Sequence, residues 1–133
     1  MRAPIISPVN FETGSTEIAA SEQDAIAKAA EVMKSSDWTV LVLGLADATG
    51  DAAQNKLLSE QRAEAVAAQL RKLTGGSLGD RIKVHAIGER LATGGSEVSE
   101  RKVEFVFFKD EGLPLREVVV KSRVLEEDFR AKR

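Results

Sequence analysis

Cysteine is absent from the 133 residues. That excludes disulfides, thiolate metal sites and cysteine nucleophiles. It does not fix a compartment, because a chain without cysteine folds in reducing or oxidising surroundings. There is one histidine, His85, so no multi-histidine metal site can form within one chain. No apolar run approaches the ~20 residues needed to span a bilayer. The opening MRAPIISPVNFETG is too short in its apolar part and too proline-rich for a signal peptide. The expectation is a cytosolic protein, or one whose leader or anchor lies upstream of this sequence. A surplus of positive charge is also missing: Lys and Arg number 19 against 21 Asp and Glu, for a net charge of -2. Nucleic acid is therefore not an expected partner.

What is present suffices for one domain with a real core. Pro4 to Phe11 is short, apolar and bounded by proline and glycine, an edge-type strand. Ser21 with Asp24 three residues later reads as a capping box. It precedes a helix with Ile26, Ala29, Ala30 and Met33 on one face, ending near Ser35. Trp38 to Leu45 is a continuous β-branched and apolar run, the pattern of a strand covered on both faces. ADATGD turns the chain, and Asp51, with Gln54 following, can cap a second helix reaching about Leu73. TGGSLGD supplies the glycines of a helix end. Arg81 to Gly88 alternates, with Ile82, Val84 and Ala86 on one side; His85 falls on the other and is expected to be exposed. Arg101 to Lys109 is a further strand. Leu115 to Ser122 reads as one more strand, and Arg123 to Arg133 as a charged helix. The order β-α-β-α-β-β with a tail predicts an α/β or α+β sandwich, helices against one sheet.

Enzymatic patterns are missing. GGSEVS lacks the G-x-S-x-G of a nucleophile elbow, TGGSLGD lacks the Lys-Ser/Thr of a phosphate loop, and no Ser–His–carboxylate spacing is plausible. Glu126, Glu127 and Asp128 read as a solvated helix face. Phe105, Phe107 and Phe108 read as packing rather than a base-stacking platform. No catalytic residue, cofactor or metal is expected.

One residue stands out. With Leu58 at 0° and 100° per residue, Arg62 falls at about 40°, Asn55 and Leu73 at about 60°, Val66 at about 80°, Ser59 at about 100° and Leu70 at about 120°. The inner arc of the second helix is polar at its start and apolar at its end. An unpartnered buried guanidinium is very costly, so Arg62 should face an anion or a water-filled cleft. Asp47, in the loop entering the same helix, is the nearest candidate. Loops at the C-terminal ends of strands in open α/β sheets commonly hold ligands. Together the two could clamp a zwitterion, carboxylate to ammonium and guanidinium fork to carboxylate. A structural Arg–Asp bridge fits the same residues.

The series Gly44, Asp47, Gly50, Asn55, Leu58-Ser59, Arg62-Ala63, Val66 and Leu70 resembles the core motif of the OmpA-like C-terminal domain family, shared by OmpA, Pal and MotB. The likeness extends over roughly residues 8 to 109. It implies an α+β two-layer sandwich, β-α-β-α-β-β, with a mixed sheet and helices on one face. The domain would span 1–112, with 113–133 a C-terminal extension of strand plus charged helix, packed on the domain or trailing from it. The family binds peptidoglycan without catalysis, taking the zwitterionic end of diaminopimelate in the stem peptide. Asp47 matches its ligand aspartate and Arg62 its ligand arginine. Asn55, Leu58, Ala46 and Lys102 match positions around the pocket. The resemblance thus implies a periplasmic wall-anchoring module tied to an upstream membrane anchor or domain. This chain has Leu45-Ala46 where the family usually has His-Thr, and Glu100-Arg101-Lys102 in place of Asn-Arg-Arg. A domain that has lost the wall ligand and binds a protein through the extension is the competing expectation.

Overall fold

The computed structural model describes residues 3–45, 52–88 and 102–109. Strand β1 is only Val9–Asn10. A 3-10 turn, Ala20–Glu22, leads into helix α1, Gln23–Ser35. Strand β2 is Thr39–Leu45 and helix α2 is Ala52–Leu73. A second 3-10 turn, Gly79–Arg81, opens strand β3, Ile82–Gly88. Strand β4 is Lys102–Phe108. The described strands form a mixed sheet in the order β1-β4-β2-β3. β3 runs parallel to β2, with Val42 beside Val84. β4 is antiparallel to β2, with Val42 beside Phe105, and β1 is antiparallel to β4. This is the α+β layout expected, with both helices on one face.

β2 is buried at every position, as its unbroken apolar run requires of a strand flanked by two others. β4 alternates instead: Val103, Phe105 and Phe107 join Ile26, Met33, Val66 and Leu70 in the core under the helices. β3 gives Ile82, Val84 and Ala86 to the helix side, in register with Val40, Val42 and Gly44. The opposite parity, Thr39, Leu41, Leu43 and Leu45 of β2 with Lys83, His85, Glu104, Val106 and Phe108, forms the second face. His85 is half-buried there, not exposed as expected.

Helix boundaries follow local chemistry, with two departures from expectation. α2 stops where Gly75 and Gly76 take φ of 76° and 81°. Only glycine does so without strain, and their N–H groups close on the carbonyls of Lys72 and Arg71. Ser21, however, does not cap α1. The 3-10 turn occupies its position, and the residue before α1, Glu22, makes no side-chain cap. The Glu22 carboxylate instead accepts the Asn10 N–H at 2.6 Å, tying α1 to the edge strand. Leu73, placed on the inner arc, is 46% exposed, because α2 overruns the apolar surface that its earlier turns cover.

Candidate functional site

α2 lies against β2 closely enough to demand glycine. A Cβ on Gly44 would sit 2.2 Å from the Ser59 carbonyl oxygen and 3.2 Å from the Ala63 Cβ. No real contact is that short, so Gly44 sets the depth at which α2 packs. The turn of α2 between Ser59 and Ala63 is thereby pressed onto the C-terminal end of β2. Arg62 is in this turn, and Asp47 follows Gly44 by three residues in the chain.

Arg62 is 1% exposed. Asp47, the anion expected to face it, lies outside the described residues. Its Nε donates to the Ser15 carbonyl at 2.8 Å, and Nη2 donates to the Glu12 carbonyl at 3.1 Å. The guanidinium carbon lies 5.2 Å from the Phe11 ring centroid, within cation–π range. These partners come from the loop between β1 and α1. Its bend uses Gly14 at φ 71° and a bond from the Ser15 N–H to the Glu12 carbonyl at 3.0 Å. The loop thus points two carbonyl dipoles at one cation.

Three neighbours complete the described part of the site. Ser59 is fully buried and donates its hydroxyl back to the Lys56 carbonyl at 2.7 Å. Asn55 is buried in the first turns of α2, and Leu58 is half-buried. Arg62, Ser59 and Asn55 therefore form a buried polar stripe running up to the start of α2. Lys102 is not brought to it. Its side chain shares the second face with Glu104, whose carboxylate it meets at 3.1 Å, while α2 packs on the other. Ala46, Asp47, Glu100 and the proposed helix cap Asp51 lie outside the described residues, as does the extension 113–133. A hollow of about 220 Å³ beside the same loop is lined by Asn10, Phe11, Glu12, Glu17 and Glu22; Arg62 does not line it. Among the described residues no cluster of three or more His, Cys, Asp or Glu is arranged for a metal, and no helix is long and apolar enough to cross a membrane.

Sequence reasoning missed a second structural arginine. Arg81 Nη1 donates to the carbonyls of Ser36 and Trp38, each at 2.9 Å, and Nη2 to that of Met33 at 3.1 Å. It closes the C-terminal end of α1, where carbonyls lack helical partners.

The profile of the OmpA family matches residues 10–104. The chain belongs to the OmpA family. The match begins at β1 and ends within β4, so it contains the Gly44–Arg62 arrangement whole. Solved structures of other members of this fold agree. The peptidoglycan-associated lipoprotein from Burkholderia pseudomallei is 25% identical, with 76% of this chain and 89% of that chain covered and a TM-score of 0.68. The cell wall anchor of the T6SS from Pseudomonas aeruginosa is 27% identical over 72% of each chain, with a TM-score of 0.57. The C-terminal domain of Helicobacter pylori MotB, at 20% identity, shares the fold: TM-score 0.66 over 93% of this chain and 98% of that one. No curated protein sequence matches the chain.

Proposed function

We propose that this OmpA-family domain is a non-catalytic peptidoglycan-binding module that anchors its parent protein to the cell wall from the periplasm. Its ligand is the zwitterionic end of diaminopimelate in the stem peptide. Asp47 takes the ammonium and Arg62 the carboxylate; Asn55, Leu58 and Ala46 border them. The observation that carries this reading is the fixed position of Arg62. A guanidinium held by two loop carbonyls and pressed against the end of a central strand is preorganised before any ligand arrives. Preorganisation removes an ordering penalty from binding. The family match and the relatives described as peptidoglycan-associated and as a cell wall anchor support the ligand class. Each charge-assisted hydrogen bond contributes about 1.5–3 kcal/mol, so one stem peptide binds modestly. The repetitive wall polymer then supplies retention through effective concentration.

The test is co-sedimentation with purified sacculi, with free diaminopimelate as competitor and circular dichroism as the folding control. Asp47→Ala is expected to stay folded and to weaken binding about tenfold or more, one lost contact being worth at least about 1.4 kcal/mol. Arg62→Lys keeps a charge but loses the fork, and is expected to bind weakly. Wild-type protein that never pellets would defeat the proposal.

A second reading is favoured by the burial of Arg62: a structural or protein-interaction domain of the same family that has lost the wall ligand, in which Arg62 only fastens the β1–α1 loop. It requires wild type to leave sacculi in the supernatant while Arg62→Ala destabilises and Asp47→Ala changes nothing.

A further inference from the structure

The two loop acceptors of Arg62 belong to the first and last residues of one tight turn. The Ser15 N–H closes that turn on the Glu12 carbonyl at 3.0 Å, and the carbonyls of Glu12 and Ser15 receive the guanidinium. Gly14 is the third residue of the turn, with φ at 71°, while Thr13 before it has no positive φ. A positive φ confined to the third position marks a type II turn, which calls for glycine or asparagine there. The Glu12 carbonyl serves two donors: one lone pair closes the turn, and the other takes Arg62 Nη2 at 3.1 Å. Turn and seat share one oxygen, so neither moves without the other.

The ends of the loop are fixed. Asn10 pairs with Lys102 in β4 and gives its N–H to the Glu22 carboxylate at 2.6 Å. Phe11 belongs to the core, and Ile18 packs against it. A change of φ at Gly14 is therefore not taken up by swinging the loop as a whole; it falls on the Glu12 and Ser15 carbonyls. A guanidinium is planar and rigid, so bonds at Nε and Nη2 set the direction of the whole fork. Bulk is not what glycine avoids here. No described atom lies within 4 Å of where a Cβ on Gly14 would stand, and the Thr13 side chain beside it is exposed. What Gly14 supplies is a conformation, not room.

We infer that Gly14 is a positioning residue for ligand capture: its left-handed conformation turns the Glu12 and Ser15 carbonyls onto Arg62 and so aims the guanidinium. The inference deepens the wall-binding proposal and rests on it for the ligand. The aim of Arg62 itself is measurable without any wall.

The experiment is a series at one position. Gly14→Asn, Gly14→Ala and Gly14→Val tolerate a left-handed backbone progressively less well. Sacculus binding is expected to fall in that order, slightly for asparagine, about tenfold for alanine and further for valine. A steric demand for glycine would instead rank alanine above asparagine. In nitrogen–proton NMR of the chain without ligand, the Arg62 Nε–H is expected to exchange with solvent faster in the same order, as its bond to the Ser15 carbonyl loosens. Gly76→Ala is the control. Gly76 is also left-handed, with φ of 81° and no described atom within 4 Å of a Cβ. It follows the end of α2, about three helical turns beyond Arg62. This variant is expected to lower the melting temperature as Gly14→Ala does, and to leave sacculus binding and the Arg62 Nε–H as in wild type.

Equal loss of binding in Gly14→Ala and Gly76→Ala would overturn the inference, by making Gly14 a matter of stability alone. So would alanine ranking above asparagine, or an Arg62 Nε–H in Gly14→Ala that matches wild type. Where Gly14→Val does not fold, the asparagine and alanine members decide. A wild type that never pellets defeats the wall reading, and the binding role of Gly14 with it, even where the Nε–H follows the expected order.

Discussion

Arg62 and Arg81 do the same chemistry in different places. Each is a guanidinium donating to backbone carbonyls far away in the chain: Glu12 and Ser15 for Arg62, Met33, Ser36 and Trp38 for Arg81. Arg81 is half-buried at the outer end of α1, where any cation near the last turn is favoured by the helix dipole. Arg62 is sealed at 1% exposure beside a strand end, where no such dipole asks for it. A half-exposed arginine that closes a helix end explains itself through stability. A sealed one at a strand terminus, seated by a loop bent through a left-handed glycine, is an expensive arrangement for merely fastening a loop. That difference is the physical reason for reading Arg62, and not Arg81, as part of a site.

Removing each arginine breaks the comparison most directly. Arg62→Ala removes two hydrogen bonds from a guanidinium, each worth about 1.5–3 kcal/mol, although the Glu12 carbonyl keeps the Ser15 N–H, and leaves a cavity beneath Phe11. Chemical denaturation should show a loss of about 4 kcal/mol, and sacculus binding should disappear. Because that variant approaches the total stability of a small domain, Arg62→Lys is the discriminating partner. Its loss should be about 2 kcal/mol, since an ammonium cannot serve both carbonyls through a planar fork. Binding that falls more than stability marks a ligand contact.

Gly44→Ala attacks the same site from the strand side. The added methyl would meet the Ser59 carbonyl oxygen at 2.2 Å, and backbone cannot yield as a flexible side chain does. Overpacking of this kind costs about 1–3 kcal/mol. The turn carrying Arg62 is displaced while Arg81, on the other side of the core, is untouched. Thermal unfolding should register the loss, and sacculus binding should weaken even at temperatures where the variant is fully folded. Arg81→Ala is the control. Arg81 is itself half-buried, so the expected loss is about 2 kcal/mol, with sacculus binding equal to wild type.

The two arginines also show what a linear sequence exposes. Arg62 could be found because helical periodicity set it among Leu58, Val66 and Leu70, where a charge is out of place. Arg81 gave no such signal: it opens a strand, and its acceptors lie 43 to 48 residues away. The elements themselves were legible wherever burial had one period. β2 read as an inner strand because both its faces are covered, and β3 and β4 showed which side meets the helices. Ser21 misled because the capping pattern is local, whereas Glu22 is engaged across the fold by the Asn10 N–H. The N-terminal strand was overestimated for a related reason. Pro4 and Pro8 lack N–H groups, and pairing with β4 is confined to Val9 and Asn10. That Arg62 would also meet the Glu12 and Ser15 carbonyls could not be read, since main-chain carbonyls of a loop leave no mark in side-chain patterning.

The smallest effect sharpens the Arg81 half of the comparison. Lys109 stands 4.0 Å above the Trp38 ring centroid and pairs with Asp37. That hydrogen bond and the Lys109 charge hold the Asp37 carboxyl below its ordinary value, with Arg81 adding a lesser pull. A carboxyl whose folded pKa is depressed contributes stability that is fully present above the unfolded value, near 3.9, and is lost as pH falls through the folded one. Asp37 is fully exposed, so the contribution is small and salt-sensitive. Melting temperatures measured from about pH 5 down to about pH 2 should fall slightly less steeply in Lys109→Ala than in wild type, and 1 M salt should shrink the gap between them. Arg81→Ala should move the Asp37 titration, followed by carboxyl NMR, upward by less than Lys109→Ala does. Arg62→Lys should leave it where it is, because the turn that carries Arg62 packs on Gly44, at the other end of β2.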